Sequence, residues 1–369
     1  MVKVALKIVV GVIRLASLPL RGLTRRNKVV CISRQSNAIP DDFRLLGKEL
    51  AEKYPQAETV FLCRKLEKSI GSVIGYMFHM GRQLHHIFTA KVIILDGYCI
   101  CASVVDHPEN TKIIQLWHAA TAIKKFGYQT IGKYGGHNED MARIMCMHKN
   151  YDYVIAPSDF TKEAFSQGFH VDKSKCISIA QPHFQEVANT DCEKLAAMKE
   201  AYHIKDDKKI IVYVPTFRKG KTLPLEELSR QIDRSQYHFV ARLHPLDQTE
   251  SADENILCPK DFTTIDWMKL ADILILDYSS LIVEGAVLRK PIYFYQYDKE
   301  DYEKDPGVNV DMAAETLGQY VFKDAKTLET LLQQPYNKEK LASFAKKYMD
   351  VPYNHAAKHL ADFVVSLMV

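Results

Sequence analysis

Ten short apolar runs, separated by helix-like stretches, constrain what this chain can fold into more than any other feature. They cover residues 28–32, 59–63, 92–96, 112–116, 153–156 and 176–180, then 209–214, 237–242, 272–277 and 291–295. The runs are rich in Val, Ile and Tyr and nearly continuous in hydrophobicity, as strands buried on both faces are, and their alternation with helices implies parallel sheets. Helices are predicted over 41–53, 158–168, 192–203, 262–271 and 280–289, with a closing set at 326–333, 337–349 and 354–368. A polar stretch, 184–208, separates the first six runs from the last four. At roughly 150 residues per domain, a length of 369 agrees with two domains. The fold class expected is therefore α/β, with two Rossmann-type parallel-sheet domains facing a central cleft, where the carboxyl ends of the strands would hold a ligand.

Charge is distributed unevenly. Lys+Arg number 49 and Asp+Glu 45, a net +4, yet residues 1–40 hold eight cations and no acid, which leaves −4 for the remainder. A basic nucleic-acid-binding face is not the pattern seen, and no nucleic-acid partner is expected. On a helix, Lys7, Arg14 and Arg21 fall seven residues apart and share one side, while Val9, Val10, Val12, Ile13, Leu15, Ala16 and Leu20 gather opposite. Arg14 interrupts any apolar run near the ~20 residues needed to span a bilayer. Residues 1–26 are therefore expected to form an amphipathic helix on an anionic membrane surface, its cations on headgroups. The eight cysteines show no C-x-x-C pair and no zinc spacing, so buried free thiols in a reducing cytoplasm are expected.

Four runs end on polar residues suited to chemistry. Gln115-Leu116-Trp117-His118-Ala119, followed by Lys124-Lys125-Phe126-Gly127, places a histidine just past a strand; an imidazole, with its ordinary pKa near 6.5, can take a hydroxyl proton there. Tyr213-Val214-Pro215-Thr216-Phe217-Arg218 offers a hydroxyl and a guanidinium fork that matches phosphate. Arg242-Leu243-His244-Pro245 alternates a cation and an imidazole on one side of an extended chain. Asp277-Tyr278-Ser279-Ser280 leads into a helix whose N-terminus favours an anion, although either serine could simply cap it. No G-x-G-x-x-G, P-loop, H-E-x-x-H or G-x-S-x-G motif occurs. His85-His86 and Gly135-Gly136-His137 lack metal-like partners and read as surface and loop residues.

Together, W-H with K-K-x-G, Y-x-P-T-x-R, R-x-H-P, and D-Y-S-S-x-x-x-E with Lys290-Pro291-Ile292-Tyr293-Phe294-Tyr295-Gln296-Tyr297-Asp298 resemble the CDP-glycerol glycerophosphotransferase family over about residues 90–300. The family comprises wall teichoic acid primases and polymerases. The resemblance implies a GT-B architecture: a membrane-interface segment (1–26), an acceptor-side domain (27–190) and a CDP-alditol-binding domain (191–369). It implies transfer of glycerol or ribitol phosphate from a CDP-alditol to a hydroxyl of a polyprenyl-linked saccharide, with CMP released, at the cytoplasmic face of the bacterial plasma membrane, without metal or other cofactor. His118 and His244 would be catalytic. Trp117, Pro215, Thr216, Arg218, Arg242, Leu243, His244, Ser279, Ser280 and Glu284 would hold the donor. Two departures stand out: Ala119 where many members have glycine, and Gln181-Pro182-His183-Phe184-Gln185 where many have a P-R-N-D-like run. The short N-terminal domain resembles the single-transfer members more than the large polymerases. Two other readings remain: a GT-B glycosyltransferase using a nucleotide sugar, and a catalytically silent membrane-bound partner of such enzymes.

Overall fold

A computed structural model describes residues 2–67, 69–133, 136, 138–205, 207–218, 220–247 and 249–368. The chain forms two units. The first, residues 1–121, 125–185 and 351–369, holds a sheet of β1 (Lys28–Ser33), β2 (Glu58–Cys63), β3 (Val92–Leu95), β4 (Lys112–Gln115), β5 (Tyr153–Ile155) and β6 (Cys176–Ile177). All pairings are parallel, in the order β2-β1-β3-β4-β5-β6. The second unit, residues 122–124 and 186–350, contains β7 (Lys209–Tyr213), β8 (Tyr237–Ala241), β9 (Ile256–Leu257), β10 (Ile273–Leu276), β11 (Ile292–Tyr295) and β12 (Val321–Phe322). These are also all parallel, in the order β12-β11-β10-β7-β8-β9. The ten expected strands are present; β9 and β12, two residues each, are too short to leave an apolar run.

Each order contains one reversal, between β1 and β3 in the first sheet and between β7 and β10 in the second. At such a point adjacent connections leave in opposite directions and open a crevice at the strands' carboxyl ends, the usual ligand site of a doubly wound sheet. Two of the four sequence motifs follow strands at the second reversal, β7 and β10; the other two follow β4 and β8, each next to a reversal strand in its sheet.

The expected domain boundaries differ from the observed division at two places. The closing helix Ala356–Ser366 belongs to the first unit, because Leu360, Ala361 and Val364, all fully buried, pack with Phe43, Leu46 and Leu50 of the helix Asp41–Lys53. Tyr54 also donates to Asp362 at 2.8 Å. Residues 122–124 belong to the second unit, where Asn309 donates its side-chain amide to the carbonyls of Ala122 and Lys124.

The first helix, α1 (Val2–Ser17), forms as expected but presents a different side outward. Arg14 donates to the Val104 carbonyl at 2.9 Å, and Lys3 and Arg21 pair with Asp140 and Asp106. Arg14 is thus turned toward its own unit, while Lys3 and Arg21 pair with exposed carboxylates and stay exposed themselves. Val10 and Ile13 are buried, whereas Val2, Val4, Ile8, Val12 and Leu15 stay exposed. Among the described residues, no helix is long and apolar enough to cross a membrane.

Candidate active site

The turn after β4 carries the first of the sequence motifs. Trp117 adopts the left-handed backbone region (φ 61°), uncommon for a bulky residue. Its N–H is caught by Gln115 Oε1 at 2.9 Å, while the buried Gln115 amide donates to the Gly97 carbonyl at 3.2 Å. The indole packs edge-on to Phe169 and against Phe126, with centroids 5.0 and 5.1 Å away. Gly127 completes this packing: at φ +56°, any Cβ on it would lie 2.2 Å from the Gly168 carbonyl, which accounts for the glycine of the K-K-x-G motif.

This turn sets the His118 ring beside the end of β3, with Nδ1 3.1 Å from the Asp96 carbonyl and 3.3 Å from the end of the Gln35 amide. A carbonyl oxygen only accepts, so Nδ1 carries the ring proton and Nε2 the basic lone pair. The two ends of the Gln35 amide are interchangeable, and its oxygen suits a protonated Nδ1. The tautomer is that of a base. The two departures from the family pattern meet here: Gln181, buried, donates to the Ala119 carbonyl at 3.2 Å, and His183 is held by Asp42 through its backbone N–H (2.7 Å) and Nδ1 (2.9 Å).

In the second unit the reversal point is bridged by a carboxylate. Asp277, fully buried after β10, accepts from the Thr216 N–H at 2.8 Å and the Thr216 hydroxyl at 2.6 Å across from β7. Arg218 approaches the same carboxylate at 2.9 Å and grips Asp298 with two N–H groups at 2.7 and 3.1 Å. Its guanidinium lies under Tyr278, Tyr297 and Tyr302, 4.8–5.6 Å from their centroids, and Tyr278 stacks on Tyr302 at 3.9 Å.

Past β8 lies a cavity of about 1010 Å³ lined by Arg242, Leu243, His244, Asp247, Pro259 and Lys260 among others. Arg242 donates to the carbonyls of Pro259 and Phe262, tying that loop to the strand end. His244 Nδ1 accepts the Leu246 N–H at 3.1 Å, so the neutral ring carries its proton on Nε2, the opposite tautomer to His118. Its exposed imidazole is a hydrogen-bond donor by default.

The family model for CDP-Glycerol:Poly(glycerophosphate) glycerophosphotransferase matches residues 15–366. The chain belongs to this family. It is 29% identical over 360 residues to the teichoic acid ribitol-phosphate primase of Bacillus spizizenii strain W23, covering 93% of this chain and 92% of that one. It is 27% identical to the teichoic acid glycerol-phosphate primase of Bacillus subtilis strain 168, covering 88% and 90%. Among solved structures, the wall teichoic acid polymerase TagF superposes with a TM-score of 0.73 at 19% identity, over 96% of this chain and 92% of that one, so the GT-B-like fold is shared.

Set against this glycerophosphotransferase framework, several expected donor contacts are reassigned. Arg218, 6% exposed, is saturated by two carboxylates and cannot present its fork to a phosphate. The Thr216 hydroxyl donates to Asp277, and the Trp117 ring packs among the aromatics of the first unit. Pro215 follows β7, Ser279 and Ser280 follow β10, and Glu284 is buried on the helix Leu281–Val287. Ser280 makes no side-chain capping bond, while the Ser279 hydroxyl accepts weakly from Leu281 N at 3.3 Å. Asp277, Asp298 and Lys260 were not among the expected site residues, although Asp277 opens one quoted motif and Asp298 closes another.

His86 contacts Lys28 at 3.1 Å, and burial with that cation pushes its pKa down to about 4, as fits a structural pair. Gly135 and His137 lie outside the described residues. Among the described residues, no group of three His, Cys, Asp or Glu side chains is placed to hold a metal ion. All eight cysteines are free thiols; Cys192 and Cys258 are exposed rather than buried, and Cys63 and Cys146 are half-buried.

Proposed function

We propose that this glycerophosphotransferase-family member moves glycerol phosphate or ribitol phosphate from a CDP-alditol to a hydroxyl of a polyprenyl-linked saccharide. The acceptor oxygen forms a bond to the distal phosphorus, the phosphoanhydride bond to the CMP oxygen breaks, and His118 Nε2 takes the hydroxyl proton. Such transfers pass through a loose transition state that demands positioning and charge neutralisation. In the second unit, Arg242 and Lys260 supply charge around the cavity, His244 Nε2–H and the Ser279 and Ser280 hydroxyls supply donors, and Arg218 with Asp277 fixes the strand ends. No step is routed through a metal or other cofactor. The single observation that carries the reading is the His118 ring seated by Nδ1 on the Asp96 carbonyl, with Nε2 as base, in a chain matched by the family model over residues 15–366.

The test incubates purified protein with CDP-glycerol and CDP-ribitol in parallel and a short-chain polyprenyl-diphosphate disaccharide, with products identified by mass. CMP with an alditol-phosphate-extended saccharide is the expected outcome. A nucleoside diphosphate released from nucleotide sugars, with no CMP from either CDP-alditol, would indicate glycosyl transfer instead.

The proposal includes an anionic membrane surface on the cytoplasmic side, where such an acceptor is anchored. Support comes from the exposed apolar side of α1, whose Val12 and Leu15 are 52% and 67% exposed beside the exposed Lys7. Because Arg14 is turned into the protein, attachment rests on apolar insertion more than on headgroup pairing. Deleting residues 1–26, or combining Val12→Glu with Leu15→Glu, is expected to cut sedimentation with anionic vesicles about tenfold or more, at moderate and at high salt. An unchanged bound fraction would refute this role for α1.

A further inference from the structure

The two reversal points carry the same arrangement in different states of completion. In the second unit, the strand after the reversal ends on Asp277, and the opposing strand end supplies Thr216; the carboxylate is filled by Thr216 N–H and hydroxyl, Arg218 and the Tyr278 N–H at 2.6 Å. In the first unit, β3 is followed by Asp96 and β1 ends on Ser33, at the equivalent place in the sheet order. Asp96 is 4% exposed, receives hydrogen bonds from the Ser33 hydroxyl and the Arg34 N–H, and among the described residues has no arginine paired with its carboxylate. Its Oδ1 has no hydrogen-bond partner. A carboxylate offers about four acceptor positions, and burying one with an unused oxygen is costly.

The exposed Gln35 side chain lies beside the same turn: its amide end is 3.2 Å from where a Gly97 Cβ would be and 3.3 Å from His118 Nδ1. A side chain at position 97 would close the space that the amide occupies. Asp96 is also the residue whose backbone carbonyl seats the His118 ring, so its carboxylate and the proposed base are fixed by one residue.

We propose that Asp96 Oδ1, reached when Gln35 turns aside, is an acceptor subsite that hydrogen-bonds a hydroxyl of the incoming polyol or saccharide and so presents a neighbouring hydroxyl to His118. This rests on the alditol-phosphate-transfer reading. The ligand class follows from the chemistry: a buried anion with an unused acceptor oxygen selects a neutral O–H donor and disfavours phosphate. A charge-assisted O–H···O⁻ bond is short and strong enough to orient a polyhydroxylated acceptor. Asp96 itself is a binding and positioning residue, since the proton leaves through His118.

Burial, with the Ser33 and Arg34 hydrogen bonds opposing it, raises the Asp96 pKa to about 6. The groups that face it are Asp42 from the helix Asp41–Lys53, Cys31 on β1, Cys63 on β2, Cys99 ahead of the helix Ile100–Val104, and the His118 ring on its carbonyl. The ionised form, which binds a hydroxyl most strongly, is therefore lost as pH falls through 6.

The test measures CMP release against the concentration of the short-chain polyprenyl-diphosphate disaccharide and, separately, of the CDP-alditol, for wild type and Asp96→Asn. The acceptor KM is expected to rise about tenfold while the CDP-alditol KM stays within about twofold. The wild-type acceptor KM is expected to climb below pH 6, and that of the variant to stay flat. If Asp96→Asn does not fold, Asp96→Ser is read in the same way. An unchanged acceptor KM, or equal rises in both KM values, overturns the subsite while leaving the reaction intact. Absence of CMP release by wild type from either CDP-alditol overturns the reaction, and the subsite with it.

Discussion

Replacing His118 with alanine is expected to lower kcat for CMP release by about 10²–10⁴-fold, the range for loss of a general base. The CDP-alditol KM should change little, because the residues proposed to hold the donor belong to the second unit and His118 to the first. The fold should survive: Trp117, which anchors the turn through Gln115, Phe126 and Phe169, is untouched. His118→Gln sharpens the test, since an amide can fill the hydrogen-bonding place at the Asp96 carbonyl but is too weakly basic to take the proton. Equal losses in the two variants would locate the effect in proton transfer. Full turnover by either folded variant would remove His118 from the reaction and leave His244 as the imidazole to be tested next.

The strands were legible because continuous apolar runs have few other homes in a two-domain α/β chain, and β1, β3, β10 and β11 are buried along their whole length, whereas the edge strand β2 buries only Leu62 fully. The helix Asp41–Lys53 was legible from its amphipathic spacing and its ends fall where expected. The 20-residue helix Ile70–Thr89 was not among the helices read. It contains Gly71, Gly75 and Gly81 and has no acid in its first turn, so local propensity argues against it. Packing overrides that propensity: Leu84, Ile87 and Phe88 are buried, and Gly75 leaves room for the Arg64 guanidinium, 2.3 Å from where a Cβ would stand. The strand-end motifs do follow strands of the two sheets, but their spacing does not show which of their side chains are held by partners within the protein. Sequence spacing brings a cation and a strand end together; it does not tell whether carboxylates eighty residues apart, as Arg218 and Asp298 are, will claim that cation first.

Arg218→Ala is accordingly expected to act on stability before it acts on donor affinity. The guanidinium is the shared counter-charge of Asp277 and Asp298, whose side chains are 0% and 9% exposed. Removing it strands two carboxylates in a tyrosine-lined interior, and breaking a buried pair in this way costs about 3–5 kcal/mol. Against a typical domain stability of about 5–15 kcal/mol, that loss should be plain in a urea or thermal denaturation experiment. Arg218→Lys should recover only part of it, because one ammonium cannot reproduce the two N–H contacts to Asp298 together with the contact to Asp277. A phosphate ligand at this position would behave otherwise: Arg218→Lys would keep wild-type stability and raise only the CDP-alditol KM, and that result would return Arg218 to the donor site.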